Sequence, residues 1–191
     1  MEQFIQKHIL GFSEAVNNTV VSVNGNEVSL CTGLNHAVGA IKLAGATGKA
    51  LYFIGNGGSA SITSHMSVDF WKTAGIKALA FTDPSLLTCI SNDCGYPQVF
   101  QKPVEMFMSE GDILIAISSS GRSENILNGV KAARSKGAGV ITMSGFDKGN
   151  PLSSMGDINF YVPSCHYGIV EVNHSLICHC ILDTIMEGTI G

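Results

Sequence analysis

The chain has 191 residues, 45% of them hydrophobic, and a formal net charge of -4 at pH 7. This length fits one domain of ordinary size with a sizeable core, or such a domain with a helical extension. The acidic excess is small and the basic residues are spread along the chain, so the sequence has no general attraction to nucleic acid and we expect no nucleic-acid partner.

The cysteines and the amino terminus both bear on where the protein works. The six cysteines include no C-x-x-C pair and no zinc-finger spacing, and a chain of this length has little need of disulfide bonds, so we expect reduced thiols. The first residues contain an acidic side chain and no long apolar run, unlike a signal peptide or a transmembrane span. We therefore expect a cytoplasmic protein without a membrane partner.

The amino-terminal part, residues 2–46, has polar and apolar residues at helical spacing, with an interruption at the Asn-Gly-Asn sequence of residues 24–26. This pattern predicts two helices joined by a short turn. Its apolar residues are too numerous for an isolated exposed helix. We therefore predict an amino-terminal helical segment, residues 1–48, that docks onto the domain or onto a second subunit, and a second unit of residues 49–191.

Five short apolar runs follow, and helical segments separate them. The runs, typical of strands buried on both faces, span residues 50–54, 78–81, 113–117, 140–143 and 158–162. The predicted helices span residues 59–73, 85–91, 97–108, 123–136, 151–155 and 168–187. This alternation predicts an α/β fold, a three-layer sandwich with a five-stranded parallel sheet preceded by the helical segment. Ligands of such sheets bind at the carboxyl ends of the strands.

The loop after the first of these strands contains Asn56, Gly57, Gly58 and Ser59 and opens a predicted helix. Glycines let backbone N–H groups approach an anion closely, and a helix N-terminus favours negative charge. The loop matches neither the dinucleotide-binding pattern G-x-G-x-x-G nor the P-loop, which has a lysine after its second glycine. We therefore predict a phosphate-binding loop whose favoured ligand is not a nucleotide.

A second loop places four hydroxyl groups, those of Ser118, Ser119, Ser120 and Ser123, after another predicted strand and at the start of a helix. Hydroxyls and helix-end amides together can bind phosphate oxygens without a cationic protein. Glycine and serine also simply form turns and cap helices, and one loop alone leaves both interpretations open. Two matching loops at strand ends favour phosphate binding.

Several motifs resemble those of a known family. In chain order they are GNGGSA at 55–60, His65 with Asp69, SNDCGY at 91–96, and SSSGRSEN at 118–125. Their order and spacing are similar to the sugar isomerase (SIS) domain of the phosphoheptose isomerase family, from about residue 49 to 187. The resemblance implies an aldose–ketose isomerase that interconverts sedoheptulose 7-phosphate and D-glycero-D-manno-heptose 7-phosphate through an enediol. It also implies a homotetramer built around the amino-terminal helices.

His65 and Asp69 are four residues apart, so they lie on one face of the helix that follows the first loop. The resemblance adds Glu171 and His179 from the last helix, implies that all four residues bind zinc or another divalent metal, and makes Asp69 and His179 the acid–base pair. The family has glutamate at position 69 and glutamine at position 171, so this chain has one shorter carboxylate and one additional negative charge. His174 is an alternative to His179 as a ligand, or a packing residue.

The resemblance also implies which residues contact the sugar. Asn92 and Asp93, in the loop after a predicted helix, would bind the sugar hydroxyls, with Asp69 and Glu171 as further substrate contacts. Judged from the residues alone, Asn92 and Asp93 are equally well explained as turn formers beside Gly95.

Two other functions remain open. The first is an isomerase of another ketose phosphate, such as a hexulose 6-phosphate. The second is a non-catalytic SIS protein that senses a sugar phosphate or binds a partner, as regulators with this domain do. The presence of His65, Asp69 and His179 together favours chemistry over sensing.

Overall fold

The structure, a computed structural model, describes residues 1–187, and its strands form one mostly parallel sheet. The seven strands of this part of the chain are β1 Val20–Val23, β2 Asn26–Val28, β3 Leu51–Gly55, β4 Ala78–Ala80, β5 Ile113–Ser118, β6 Gly139–Ser144 and β7 Ile158–Tyr161. Their order across the sheet is β2-β1-β7-β6-β5-β3-β4. Strands β3 to β7 are parallel to one another, whereas β1 is antiparallel to both of its neighbours.

Helices lie on both faces of this sheet. Those of the described residues are α1 Glu2–Asn17, α2 Leu30–Ala46, α3 Gly58–Thr73, α4 Pro84–Cys94, α5 Gln101–Phe107, α6 Glu124–Ser135 and α7 Tyr167–Glu187. The predicted helix 97–108 is divided into a short 3-10 turn and α5, and the segment 151–155 is a 3-10 turn rather than an α-helix. The predicted α/β fold is confirmed.

The predicted number of five strands is wrong, because the amino-terminal segment adds a hairpin to the sheet. The five predicted parallel strands are all present, but residues 24–26 do not simply join two helices. Asn24 and Gly25 both have positive φ, 50° and 81°, the conformation of a tight hairpin turn. The β-branched residues before the turn form β1, in which Val21 is fully buried and pairs with Phe160 of β7.

The core consists of two apolar layers, one on each face of the sheet. On one face α1, α2, α3 and α7 pack around residues such as Phe53 and Ile115. On the other face α5 and α6 pack around residues such as Ile54 and Leu114. Neighbouring residues of one strand thus enter different layers, as the pleat requires, and both faces are buried, as the unbroken apolar runs predict.

The parallel register brings the two glycine- and serine-rich loops together. Gly55, the last residue of β3, pairs with Ile117 of β5, and Ser118, the last residue of β5, pairs with Ser144 of β6. The loops that follow β3, β5 and β6 therefore leave the same edge of the sheet.

Helix α7 is long and apolar enough to cross a membrane by length and composition alone. Half of its most apolar stretch is buried inside the protein, where it packs against α1, α2 and α3. A core helix passes the same test, and the packing of α7 identifies it as one.

Candidate active site

The loop between β3 and α3 has a backbone conformation that depends on glycine. Gly57 has a positive φ of 56°, and a Cβ added at Gly55 would lie 2.8 Å from the backbone of Ser59. Helix α3 begins at Gly58 without a side-chain cap. The first N–H groups of α3 are therefore available to an anion.

The loop between β5 and α6 is held by residues 145–152, which we call the bracing segment. Gly121 has a φ of 61°, and a Cβ there would overlap the side chain of Asn150, which is 1% exposed. The N–H of Gly145 donates to the Ser119 carbonyl at 3.0 Å, and the N–H of Leu152 donates to the Gly121 carbonyl at 3.1 Å. These contacts fix the positions of the serines.

Arg122, the basic residue of this second loop, contacts the bracing segment. Its guanidinium forms an ion pair of 2.6 Å with Asp147, and both side chains are exposed. The N–H of Gly149 and the guanidinium of Arg122 lower the pKa of the Asp147 carboxyl below its ordinary value. Arg122 thus has an acidic partner and does not line the cavity between the loops.

A cavity of about 130 Å³ lies between the two loops, and we call it the serine cavity. Its lining from the loops consists of Asn56, Ser59, Ser118, Ser119, Ser120 and Ser123. The Ser119 hydroxyl is buried and has no hydrogen-bond partner within residues 1–187. A buried hydroxyl without a partner is costly, so a ligand that bonds to it would remove this cost. No lysine or arginine of the described chain lines the cavity.

Two side-chain amides bond to each other at one wall of the serine cavity. Asn56 and Asn125 exchange side-chain hydrogen bonds of 3.0 and 2.9 Å, and the Tyr96 hydroxyl donates to the Asn56 oxygen at 2.8 Å. Asn125 is 3% exposed. Neither Tyr96 nor Asn125 belongs to the predicted site, because their role depends on contacts between distant parts of the chain.

Helix α7 supplies the remaining lining of the serine cavity, Tyr167 and Glu171. The two residues are four positions apart and so lie on one face of the helix. The Glu171 carboxylate lies directly over Gly58, where a Cβ would overlap it. Tyr167 was absent from the sequence prediction, although its spacing from Glu171 is a signal that could have found it.

A cluster of three side chains lies where α3 packs against α7. It consists of His65 and Asp69 of α3 and His179 of α7. Their ligand atoms all lie within 4.8 Å of one another. The Nε2 atom of His65 is 3.0 Å from a carboxylate oxygen of Asp69, and the rings of His65 and His179 are 5.5 Å apart. The side chain of His65 is 61% exposed and that of Asp69 is 27% exposed. Two imidazoles and a carboxylate are ligand types that can hold a divalent metal ion such as zinc.

Glu171 and His174 lie outside this cluster, which comprises three of the four residues predicted to bind metal. Glu171 lines the serine cavity instead. His174 is fully buried, with its Nε2 atom 3.1 Å from the Ser144 carbonyl. Burial lowers the pKa of His174 to about 4. This histidine packs α7 against β6, so His179 and not His174 belongs to the cluster.

Asn92 and Asp93 lie in the last turn of α4, not in the loop predicted for them. Both are exposed. The Asn92 amide donates to the Asp93 carboxylate at 2.8 Å, and Gly95 ends the helix with a φ of 90°. The helix is one residue longer than predicted at its N-terminus, where Asp83 is the cap and Pro84 the first helical residue, and three residues longer at its C-terminus. Neither residue lines the serine cavity.

Comparison with known proteins identifies the family. The family model of the SIS domain matches residues 12–145. Phosphoheptose isomerase of Aliarcobacter butzleri is 40% identical over 144 residues, which cover 72% of this chain and 76% of that protein. The chain belongs to the phosphoheptose isomerase family. The resemblance in its motifs is thereby confirmed, and so is the prediction of an enzyme of the phosphoheptose isomerase type.

Solved structures of this family agree with the fold. Phosphoheptose isomerase of Neisseria gonorrhoeae has a TM-score of 0.85 at 29% identity, and the alignment covers 97% of this chain and 96% of that one. Phosphoheptose isomerase of Francisella tularensis has a TM-score of 0.83 at the same identity and coverage. Both alignments cover nearly the whole chain, so they include the amino-terminal helices as well as the domain with the two loops.

Proposed function

We propose that the protein is an aldose–ketose isomerase that interconverts sedoheptulose 7-phosphate and D-glycero-D-manno-heptose 7-phosphate. The observation that carries the proposal is that the serine cavity and the His65–Asp69–His179 cluster lie along the same helix, α3. Ser59 and His65 are six residues apart, about 9 Å along the helix axis. An extended sugar phosphate bound by its phosphate at Ser59 can reach the cluster with its first two carbons.

The serine cavity suits the phosphate of such a substrate. The hydroxyls of Ser118, Ser119, Ser120 and Ser123 and the free N–H groups of α3 are donors, and the N-termini of α3 and α6 favour an anion. Preorganised neutral donors can hold a phosphate without a cation, because phosphate oxygens accept several charge-assisted hydrogen bonds at once.

Asp69 and His179 suit the proton transfers of the isomerisation. In the ketose-to-aldose direction, one of the pair removes a proton from C1 while O2 gains a proton, which gives the enediol. C2 then receives a proton and the O1 hydroxyl loses one, which leaves the aldehyde. We assign these transfers to Asp69 and His179, and the 3.0 Å contact with His65 orients the Asp69 carboxylate. We also assign Glu171, which lines the serine cavity, as a substrate contact.

The donor set of the cluster also suits zinc or another divalent metal. His65, Asp69 and His179 would hold the ion, and it would supply polarisation of the substrate oxygens. We expect that chelation with EDTA lowers isomerase activity at least tenfold and that added zinc restores it. Binding of inorganic phosphate, measured by calorimetry, should not change on chelation, since the serine cavity holds no residue of the cluster.

We further propose a cytoplasmic homotetramer in which α1 contributes to the subunit contacts. Phe4 and Ile9 of α1 are 72% and 62% exposed, a large apolar surface for a free helix. Light scattering of the purified protein measures the subunit number directly, and a monomer would contradict this part of the proposal.

The decisive experiment measures turnover. Purified protein is incubated with sedoheptulose 7-phosphate and, separately, with hexulose 6-phosphates, with and without zinc, and the aldose products are separated by chromatography. We expect conversion of the heptulose phosphate. If only a hexulose 6-phosphate is converted, the protein is an isomerase of that sugar phosphate and not of the heptulose phosphate. Phosphate binding without any conversion would instead support a sensor with the same fold.

A further inference from the structure

Tyr167 lines the serine cavity from outside the two loops. It is the first residue of α7 and is 62% exposed, and its hydroxyl makes no hydrogen bond within residues 1–187. A tyrosine hydroxyl is a good donor to phosphate oxygens. The position of Tyr167 thus provides the cavity with a donor beyond those of its serines and backbone.

The ring of Tyr167 is held in place by a residue with a strained backbone. Phe146 packs edge-to-face on Tyr167, with the ring centroids 4.7 Å apart. Phe146 has a φ of 59°, a conformation that a bulky side chain rarely adopts.

The surrounding structure fixes this conformation of Phe146. Its N–H donates to the Ser164 carbonyl at 3.0 Å, and its carbonyl accepts a hydrogen bond from the Tyr161 hydroxyl at 3.1 Å. Glycine would adopt this backbone without strain. Residues held in strained conformations by their surroundings cluster at binding and catalytic sites, and here the strained residue supplies the ring that holds Tyr167.

The charge balance of the serine cavity explains what an additional donor would do. No lysine or arginine of the described chain lines it, Arg122 pairs with Asp147, and Glu171 adds a carboxylate. A phosphate bound there depends on neutral donors, so each of them contributes substantially to affinity.

We propose that Tyr167 is a phosphate-binding residue of the serine cavity and that Phe146 is a positioning residue that acts through it. The proposal rests on the proposed function in one respect, that the ligand of this cavity is a phosphate monoester. It assigns Tyr167 no part in the proton transfers at Asp69 and His179.

The first test is calorimetric titration with inorganic phosphate of the wild type, Tyr167→Phe and the control Tyr52→Phe. Tyr52 lies in β3, and its hydroxyl donates to the Phe107 carbonyl outside the cavity. We expect roughly tenfold weaker phosphate binding for Tyr167→Phe, the loss of one hydrogen bond to a charged group, and wild-type affinity for Tyr52→Phe. If Tyr167→Phe binds phosphate as tightly as the wild type, the inference about Tyr167 is wrong but the proposed function still stands. Failure of the wild type to bind phosphate would overturn the proposed function and, with it, the inference.

The second test separates positioning from a general structural effect. Phe146→Leu is measured alone and in combination with Tyr167→Phe. If Phe146 acts through Tyr167, Phe146→Leu weakens phosphate binding severalfold in the wild type and has no further effect in the Tyr167→Phe background. In the isomerase assay both variants should raise KM with kcat within about twofold. Additive effects of the two substitutions would refute the positioning role, and a fall in kcat alone would refute the role of Tyr167 in binding.

Discussion

The serine cavity and the His65–Asp69–His179 cluster are neighbouring parts of one candidate site, but they are built differently. The cavity depends on backbone: glycines with positive φ, helix N-termini and a second loop fixed by the bracing segment. The cluster depends on three side chains from two helices, with His65 largely exposed. A site made of backbone is sensitive to any added side chain, whereas a site made of side chains is sensitive to their charge and length.

The largest effect of a single substitution is expected in the cluster. Asp69→Asn keeps the shape of the side chain but removes its charge and its ability to accept a proton, so kcat for sugar isomerisation should fall at least about 100-fold. Phosphate affinity measured by calorimetry should stay within about twofold, because Asp69 does not line the serine cavity.

The matched control for this substitution is Asp69→Glu, which restores the glutamate of the family. We expect it to retain activity within about tenfold, since the carboxylate stays and only its reach changes. If Asp69→Asn kept full activity, the acid–base role would be wrong. If it kept every biological effect of the protein while the wild type showed no turnover, the sensor would be the better function.

The serine cavity should respond most strongly to a side chain added at a glycine. Gly121→Ala places a Cβ on a residue with a φ of 61° and against the buried Asn150. We expect a loss of about 2 kcal/mol in the free energy of unfolding, measured by urea denaturation, together with weaker phosphate binding.

The control for this effect is Gly39→Ala on α2, where a Cβ meets open space. This variant should be as stable as the wild type or slightly more stable, because alanine favours helix. A Gly121→Ala protein with unchanged stability and phosphate affinity would show that the second loop does not need its observed conformation.

The difference between the two regions also explains what the sequence could predict. The loops lie within short stretches of chain, directly after apolar runs, so their positions follow from local pattern and from the geometry of parallel sheets. The pairing of His65 with Asp69 also follows from local sequence, because residues four apart lie on one face of a helix. Their partnership with His179 came only from the family resemblance, because no local pattern relates two residues 114 positions apart in the chain.

Contacts between distant segments account for what the sequence analysis missed. The hairpin of β1 and β2 has the turn signal Asn24–Gly25, yet its strands are short and its surroundings read as helical. The segment forms strands and not a helix because β1 pairs with the edge of the sheet at β7. The contact of Tyr96 with Asn56 likewise joins residues 40 positions apart in the sequence. The predicted roles of Glu171 as a metal ligand and a substrate contact stay predictions, and this residue lies in the serine cavity, outside the cluster.

A smaller, pH-dependent effect on the free energy of unfolding should come from His174. This residue belongs to neither the serine cavity nor the cluster, but it packs α7, which contributes residues to both. Its pKa is lowered to about 4 by burial, from an ordinary value of 6.5. Below pH 6.5 the unfolded chain therefore binds a proton that the folded protein excludes, and the free energy of unfolding falls as the pH falls towards 4. Between pH 7 and 5.5 we expect a loss of about 1 kcal/mol from this residue.

Urea denaturation at several pH values measures this contribution. His174→Gln keeps a donor for the Ser144 carbonyl but cannot titrate, so its free energy of unfolding should depend less steeply on pH than that of the wild type. His36→Gln, at an exposed position of α2, is the matched control and should keep the wild-type slope. The same slope in His174→Gln and in the wild type would mean that His174 is not the group that destabilises the protein in mild acid.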